Sequence, residues 1–75
     1  MIMKWSKVRA GLYATKYDKM VIAIQQITAK KVSITGWWII EIYDGKGKFI
    51  EQLDAYPTLK EAKLAAIRDY KNWSK

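Results

Sequence analysis

The side chains in this chain that could meet a partner are cations and aromatics. Lys4, Lys7, Arg9, Lys16, Lys19, Lys30 and Lys31 precede Gly36 and face one acid there, Asp18, a local balance of +6. From Gly36 onward seven Lys and Arg meet six acids, so nearly all of the formal net charge of +7 lies in the first half. Such an asymmetry favours an anionic partner, because the summed field concentrates counter-charge. Interleaved with these cations are aromatic groups whose faces can stack on bases or anchor a protein surface. Catalytic groups are scarce. The chain has no histidine and no cysteine, which removes the common general base, metal ligands and the thiolate nucleophile. Ser6, Ser33 and Ser74 have no base to activate them. Glu41 and Glu51 are expected on opposite faces of a hairpin, so they form no carboxylate pair. Asp44-Gly45-Lys46-Gly47 leads into a strand, whereas a phosphate-binding loop needs a helix N-terminus. The expectation is a binding protein, not an enzyme, with no cofactor and no metal.

Seventy-five residues, 51% of them hydrophobic, make one folded domain spanning 1–75 with a single core. With no disulfide available, dense packing must hold it, and four Trp and five Tyr can supply that. Met1 to Lys7 carry two lysines and no long apolar run, unlike a signal peptide. Met20-Val21-Ile22-Ala23-Ile24 is far too short to span a bilayer. A soluble, cytoplasmic protein without membrane contact is expected.

Period-two alternation marks strands over about 7–15 and 20–28, separated by Tyr17-Asp18-Lys19. A third strand runs over 37–43, a glycine turn follows at Asp44 to Gly47, and a fourth covers 48–53. Thr58-Leu59-Lys60-Glu61 is a capping box opening a helix over 59–73, with Leu59, Ala62, Ala66, Tyr70 and Trp73 on one stripe. The fold class is α+β: a small antiparallel sheet (ββββ) with one C-terminal helix packed on one face.

Side-chain parity then divides the sheet. Pairing Tyr43 with Lys48 sets Ile42 against Phe49 and Trp38 against Leu53 beneath the helix; Ile40 meets Glu51, placing that acid near an exposed edge. A three-residue loop from Tyr17 to Lys19 pairs Leu12 with Ile24 and Ala14 with Ile22; a loop of even length would split the large residues between faces. The opposite, open face would show Lys7, Arg9, Tyr13 and Thr15, then Val21, Ala23 and Gln25, then Trp37, Ile39, Glu41, Tyr43, Lys48, Ile50 and Gln52. Candidate nucleic-acid contacts are Lys7, Arg9, Lys30, Lys31 and Lys48 for phosphates, and Tyr13, Trp37 and Tyr43 for bases or sugars. Glu41 counts against that role. In the bland alternative, Met1, Ile2, Met3 and Trp5 fold over this face and cover it.

Trp37-Trp38-Ile39-Ile40-Glu41-Ile42, Asp44-Gly45-Lys46-Gly47 and Tyr56-Pro57-Thr58-Leu59-Lys60-Glu61-Ala62 together resemble the arm-type DNA-binding domains of phage integrases and related AP2-like modules. The likeness covers about Gly36 to Tyr70 and implies a three-stranded sheet that enters the DNA major groove. This chain carries more acids on its third and fourth strands than that family does. In size and layout it is also similar to small phage-encoded accessory proteins, many of which bind a host protein.

Two functions are therefore expected. The first is a small basic nucleic-acid-binding module, DNA ahead of RNA, using the open sheet face. The alternative is a protein-binding regulator or inhibitor of a host enzyme, or a small homo-oligomer such as a homodimer, with Trp37 and Tyr43 as anchors.

Overall fold

The structure, a computed structural model, describes residues 4–75. It contains a five-stranded antiparallel meander, in the order β1 (Ser6–Arg9), β2 (Leu12–Tyr17), β3 (Met20–Gln26), β4 (Trp38–Tyr43) and β5 (Phe49–Tyr56), followed by α1 (Leu59–Trp73). The expected α+β architecture is present with one strand more than the sequence reading allowed. The stretch 7–15 is not one strand. It folds back at Ala10-Gly11, where Gly11 takes φ +80°, a left-handed conformation that glycine adopts without steric cost. The alternation of Val8, Ala10, Leu12 and Ala14 conceals this fold, because β1 and β2 both alternate.

The helix forms where the capping residues place it. Thr58 is extended (φ −126°, ψ 154°) and its hydroxyl accepts from the Glu61 N–H at 3.1 Å; at the other end Ser74 N–H donates to Tyr70 O at 2.9 Å. Ala62, Ala65, Ala66 and Tyr70 are buried against Ile22, Ile24, Ile40 and Ile42, with Leu59, Ile67 and Trp73 packed at the margins. The expected helical stripe and this core agree. Each of the four isoleucines is fully buried, stabilising the fold by roughly 1.5–3 kcal/mol apiece. Alanines on the helix let it approach the sheet closely, so the bulk of the core comes from the strands.

The helix backbone lies over β3, β4 and β5 and reaches neither β1 nor β2. Only side chains span that gap: Tyr17 meets Tyr70 edge-on with centroids 5.5 Å apart, and Lys63 Nζ sits 4.7 Å above the Tyr13 ring. The cover is lopsided, and the β1–β2 hairpin projects beyond it.

Candidate nucleic-acid interface

Register decides which side chains share a face, and one turn decides the register. β2 and β3 are joined by two residues, not three: Tyr17 pairs with Met20, Thr15 with Ile22 and Tyr13 with Ile24. Asp18 (φ 53°) and Lys19 (φ 65°) both lie in the left-handed region, the signature of a tight two-residue hairpin turn. The expected odd loop is thus overturned, and β2 is inverted relative to it. Tyr13, Thr15 and Tyr17 lie on the helix side, where Tyr13 also meets Trp38 at 6.0 Å. Leu12, Ala14 and Lys16 turn to the open side. The inversion pairs two tyrosines with the helix-side aromatics, which the large aliphatic pairings in the odd-loop register did not weigh.

A second correction concerns β4 and β5. Tyr43 pairs with Phe49, Ile42 with Glu51 and Glu41 with Gln52, with register shifts between Ile39 and Glu41 and between Ile42 and Tyr43. Phe49, expected in the core, therefore stands on the open face, 50% exposed and edge-on to Tyr43 at 5.6 Å. Leu53 still packs against the core, and Glu51 is exposed as expected. Glu41 and Glu51 fall on opposite faces.

The open face is built of three rungs. One runs Arg9, Leu12, Gln25, Ile39, Ala55; the next Ser6, Ala14, Ala23, Glu41, Gln52; the third Lys16, Val21, Tyr43, Phe49. Small residues at Ala14 and Ala23 keep the middle low. A hollow of about 320 Å³ opens beside them, lined by Ser6, Ala14, Thr15, Lys16 and Val21. Glu41 sits in the middle rung at 8% exposure, its Oε1 accepting from the Tyr43 hydroxyl at 3.2 Å. Burial, then the Glu41 charge and this hydrogen bond, push the Tyr43 hydroxyl above its ordinary pKa.

Of the eight sequence-derived candidates, Arg9, Trp37 and Tyr43 share the open side. Trp37 precedes β4, with the strand parity of Ile39, and its carbonyl accepts from Ile27 N–H at 2.8 Å. Lys7 pairs with Tyr13 and so lies on the helix side. Lys48, the neighbour of Phe49, has the opposite parity to Phe49 and closes the turn by accepting from Asp44 N–H at 2.9 Å. That turn is held by the Asp44 carboxylate, which accepts from the N–H groups of Lys46 and Lys48 at 2.8 and 2.9 Å; the Lys48 bond foremost lowers the Asp44 pKa. Lys30 and Lys31 lie in the β3–β4 loop, as expected. The loop is tied by Gly36 N–H to Ile27 O at 2.8 Å and by the Thr35 hydroxyl to Val32 O at 2.8 Å. Its base adjoins the β1–β2 turn, where Gln26 N–H donates to Gly11 O at 2.8 Å, so Arg9, Lys30 and Lys31 belong to one end of the sheet.

Sequence reasoning missed Lys16 and Phe49 as open-face groups. Reading Asp18-Lys19 as a two-residue turn would have found Lys16. Trp5, expected over the open face, packs against the core on the helix side; Met1, Ile2 and Met3 lie outside the described residues.

Electrostatically, the cations of the β1–β2 hairpin stand alone. Among the described residues the ion pair present is Arg68 with Asp69 at 3.1 Å, on the far flank of the helix. Asp18, the one acid of the first half, accepts the Tyr70 hydroxyl at 3.2 Å. Among the described residues no cluster of acids could hold a metal ion, and no helix is long and apolar enough to cross a membrane. Comparison with family models, with curated proteins and with solved structures yields no match.

Proposed function

We propose that this domain binds nucleic acid, DNA ahead of RNA, across its open sheet face. One observation carries the reading. Arg9 and Lys16, without an ion-pair partner among the described residues, lie along the β1–β2 margin of a sheet face that the helix leaves uncovered and that presents Tyr43 and Phe49, with Trp37 just before β4. Phosphates would follow the margin, where cations neutralise them and release counterions, and bases would lie over the apolar middle. Lys30 and Lys31 extend the cationic margin at the Arg9 end. Lys7, Tyr13 and Lys48 leave the proposed contact set.

The test is a titration into labelled duplex DNA, single-stranded DNA and RNA at two salt concentrations. Micromolar or tighter binding that weakens steeply with salt supports the reading. Absence of binding at low salt, in a chain of net charge +7, refutes it. A protein partner is the second reading, favoured by the exposure of Phe49, Ile50 and Val8. It predicts an association that moderate salt leaves intact and that Trp37→Ala removes.

A further inference from the structure

A carboxylate in the middle of a face meant for a polyanion is an apparent contradiction. Glu41 is the single acid on the three open-face rungs. It is more than nine-tenths buried among Ala23, Gln52, Tyr43 and Ile39 by strand position. A buried charge is costly unless it has work for its lone pairs. The Tyr43 hydroxyl occupies Oε1. Oε2 has no hydrogen-bond partner among the described residues. The carboxylate is thus oriented by Tyr43, and its strand position sets it on the open side of the sheet.

The cations sit elsewhere. Lys16, on β2, is two strands and one rung from Glu41, on β4, or about 12 Å at ordinary strand spacing and rise. Between them lie Ala14 and Ala23, with the hollow that Lys16 lines. Phosphate at the margin and base at the centre is the separation that a nucleotide lying across the strands would require. Phe49, one rung from Glu41, is half-exposed, an aromatic group on which a base can stack.

On a nucleic acid bound as proposed above, we infer that Glu41 reads guanine in a single strand. Guanine alone among the bases presents two adjacent donors, N1–H and the N2 amino group, on its Watson–Crick edge. A carboxylate accepts both in parallel, a charge-assisted bidentate bond. Adenine and cytosine each set one amino donor beside an acceptor that a carboxylate repels. Thymine sets its N3–H between two carbonyls. In a duplex the Watson–Crick edge is occupied, so single-stranded DNA is the ligand. Tyr43 is the positioning residue, holding the carboxylate by its hydroxyl.

The experiment measures anisotropy of labelled thymidine oligonucleotides in which one central base is guanine, adenine, inosine or 7-deazaguanine, at fixed salt. Guanine should bind tighter than adenine by about 5- to 150-fold, the range of one good bidentate base contact. Inosine, lacking the N2 amino group, should lose most of that preference. 7-Deazaguanine, altered only on the edge away from Glu41, should keep it. Glu41→Gln should abolish the preference while binding to plain thymidine strands persists or strengthens. The base analogues use the unaltered protein, so the inference stays testable if the variant fails to fold. Equal binding of guanine and adenine strands, or inosine binding as well as guanine, overturns it while leaving the nucleic-acid reading standing. No binding to any strand at low salt overturns both.

Discussion

Lys7 and Lys16 have the same charge, both are exposed, and they sit on adjacent strands, the edge strand β1 and its neighbour β2, yet the register sends them to opposite sides of the sheet. Reversing either to Glu changes the net charge by the same two units, so any long-range effect of the overall field is matched between the variants. The local effect is not. A phosphate about 4 Å from a lysine gains roughly 1 kcal/mol at the dielectric of water, and replacing attraction by repulsion doubles the change to about 2 kcal/mol. Lys16→Glu should therefore weaken binding to single-stranded DNA about 30-fold. Losing one phosphate contact should also reduce the log–log salt slope by about 0.7. Lys7 has helix-side parity, where salt screens its charge from a strand on the open face, so Lys7→Glu should change affinity no more than about twofold. Anisotropy titrations of both variants across a salt series supply these numbers, with circular dichroism confirming that each folds. Equal losses in the two variants would show that binding follows net charge alone, and the open-face assignment would then be wrong.

Tyr13 and Phe49 make a parallel contrast in aromatic groups: Phe49→Ala should cost about 5- to 150-fold in single-strand affinity at unchanged stability. Tyr13→Ala should instead lower the melting temperature, through lost contact with Trp38 and Lys63, and leave affinity per folded molecule as it was; an affinity loss in Tyr13→Ala would reinstate it as a contact. Lys19 is held at φ 65°, so Lys19→Gly should stabilise the protein by about 0.5–1 kcal/mol once the greater freedom of an unfolded glycine is deducted. A thermal melt should show a rise of about 2–8 °C, and a fall would contradict the turn geometry. Tyr43, Tyr56 and Tyr70 all have pKa values raised above their ordinary 10.0, foremost by burial. The native state holds these protons more tightly than the unfolded chain does. Their stabilising contribution is therefore complete below pH 10 and is lost as pH rises through the folded-state values. Urea unfolding on both sides of pH 10 should show this decline, and Tyr70→Phe should make it shallower.

What the sequence disclosed was whatever depends on short-range signals. Thr58 and the alanine stripe placed the helix, because a cap and a 3.6-residue period are local properties. The alternation in β3 and β4 placed Ile22, Ile24, Ile40 and Ile42 under it. Failure came where one residue of loop length controls every residue after it. Asp18 adopts positive φ with modest penalty, but Lys19 beside it is an uncommon choice for such a turn, so the composition pointed toward a longer loop. The bulges in β5 were equally hidden. No local signal marks where an extra residue enters a ladder, and Phe49 changed face because five residues, not four, connect it to its partner Tyr43.

The candidate site was less legible than the fold for the same reason. Charge and aromatic content are properties of composition, whereas a site is a property of parity. Once the two-residue turn is set, Tyr13 becomes a core aromatic and Lys16 an interface cation, with no change in composition at all. The same inversion alters the meaning of Glu41. With Tyr13, Lys7 and Lys48 around it, that acid would be an isolated obstacle among phosphate contacts. With Ala23 beside it, Lys16 two strands away and Arg9 three, cations and carboxylate are segregated, one at the margin and one at the centre. A partner whose charges run along one line and whose uncharged hydrogen-bonding groups run along another fits that segregation, and a strand of nucleic acid is such a partner.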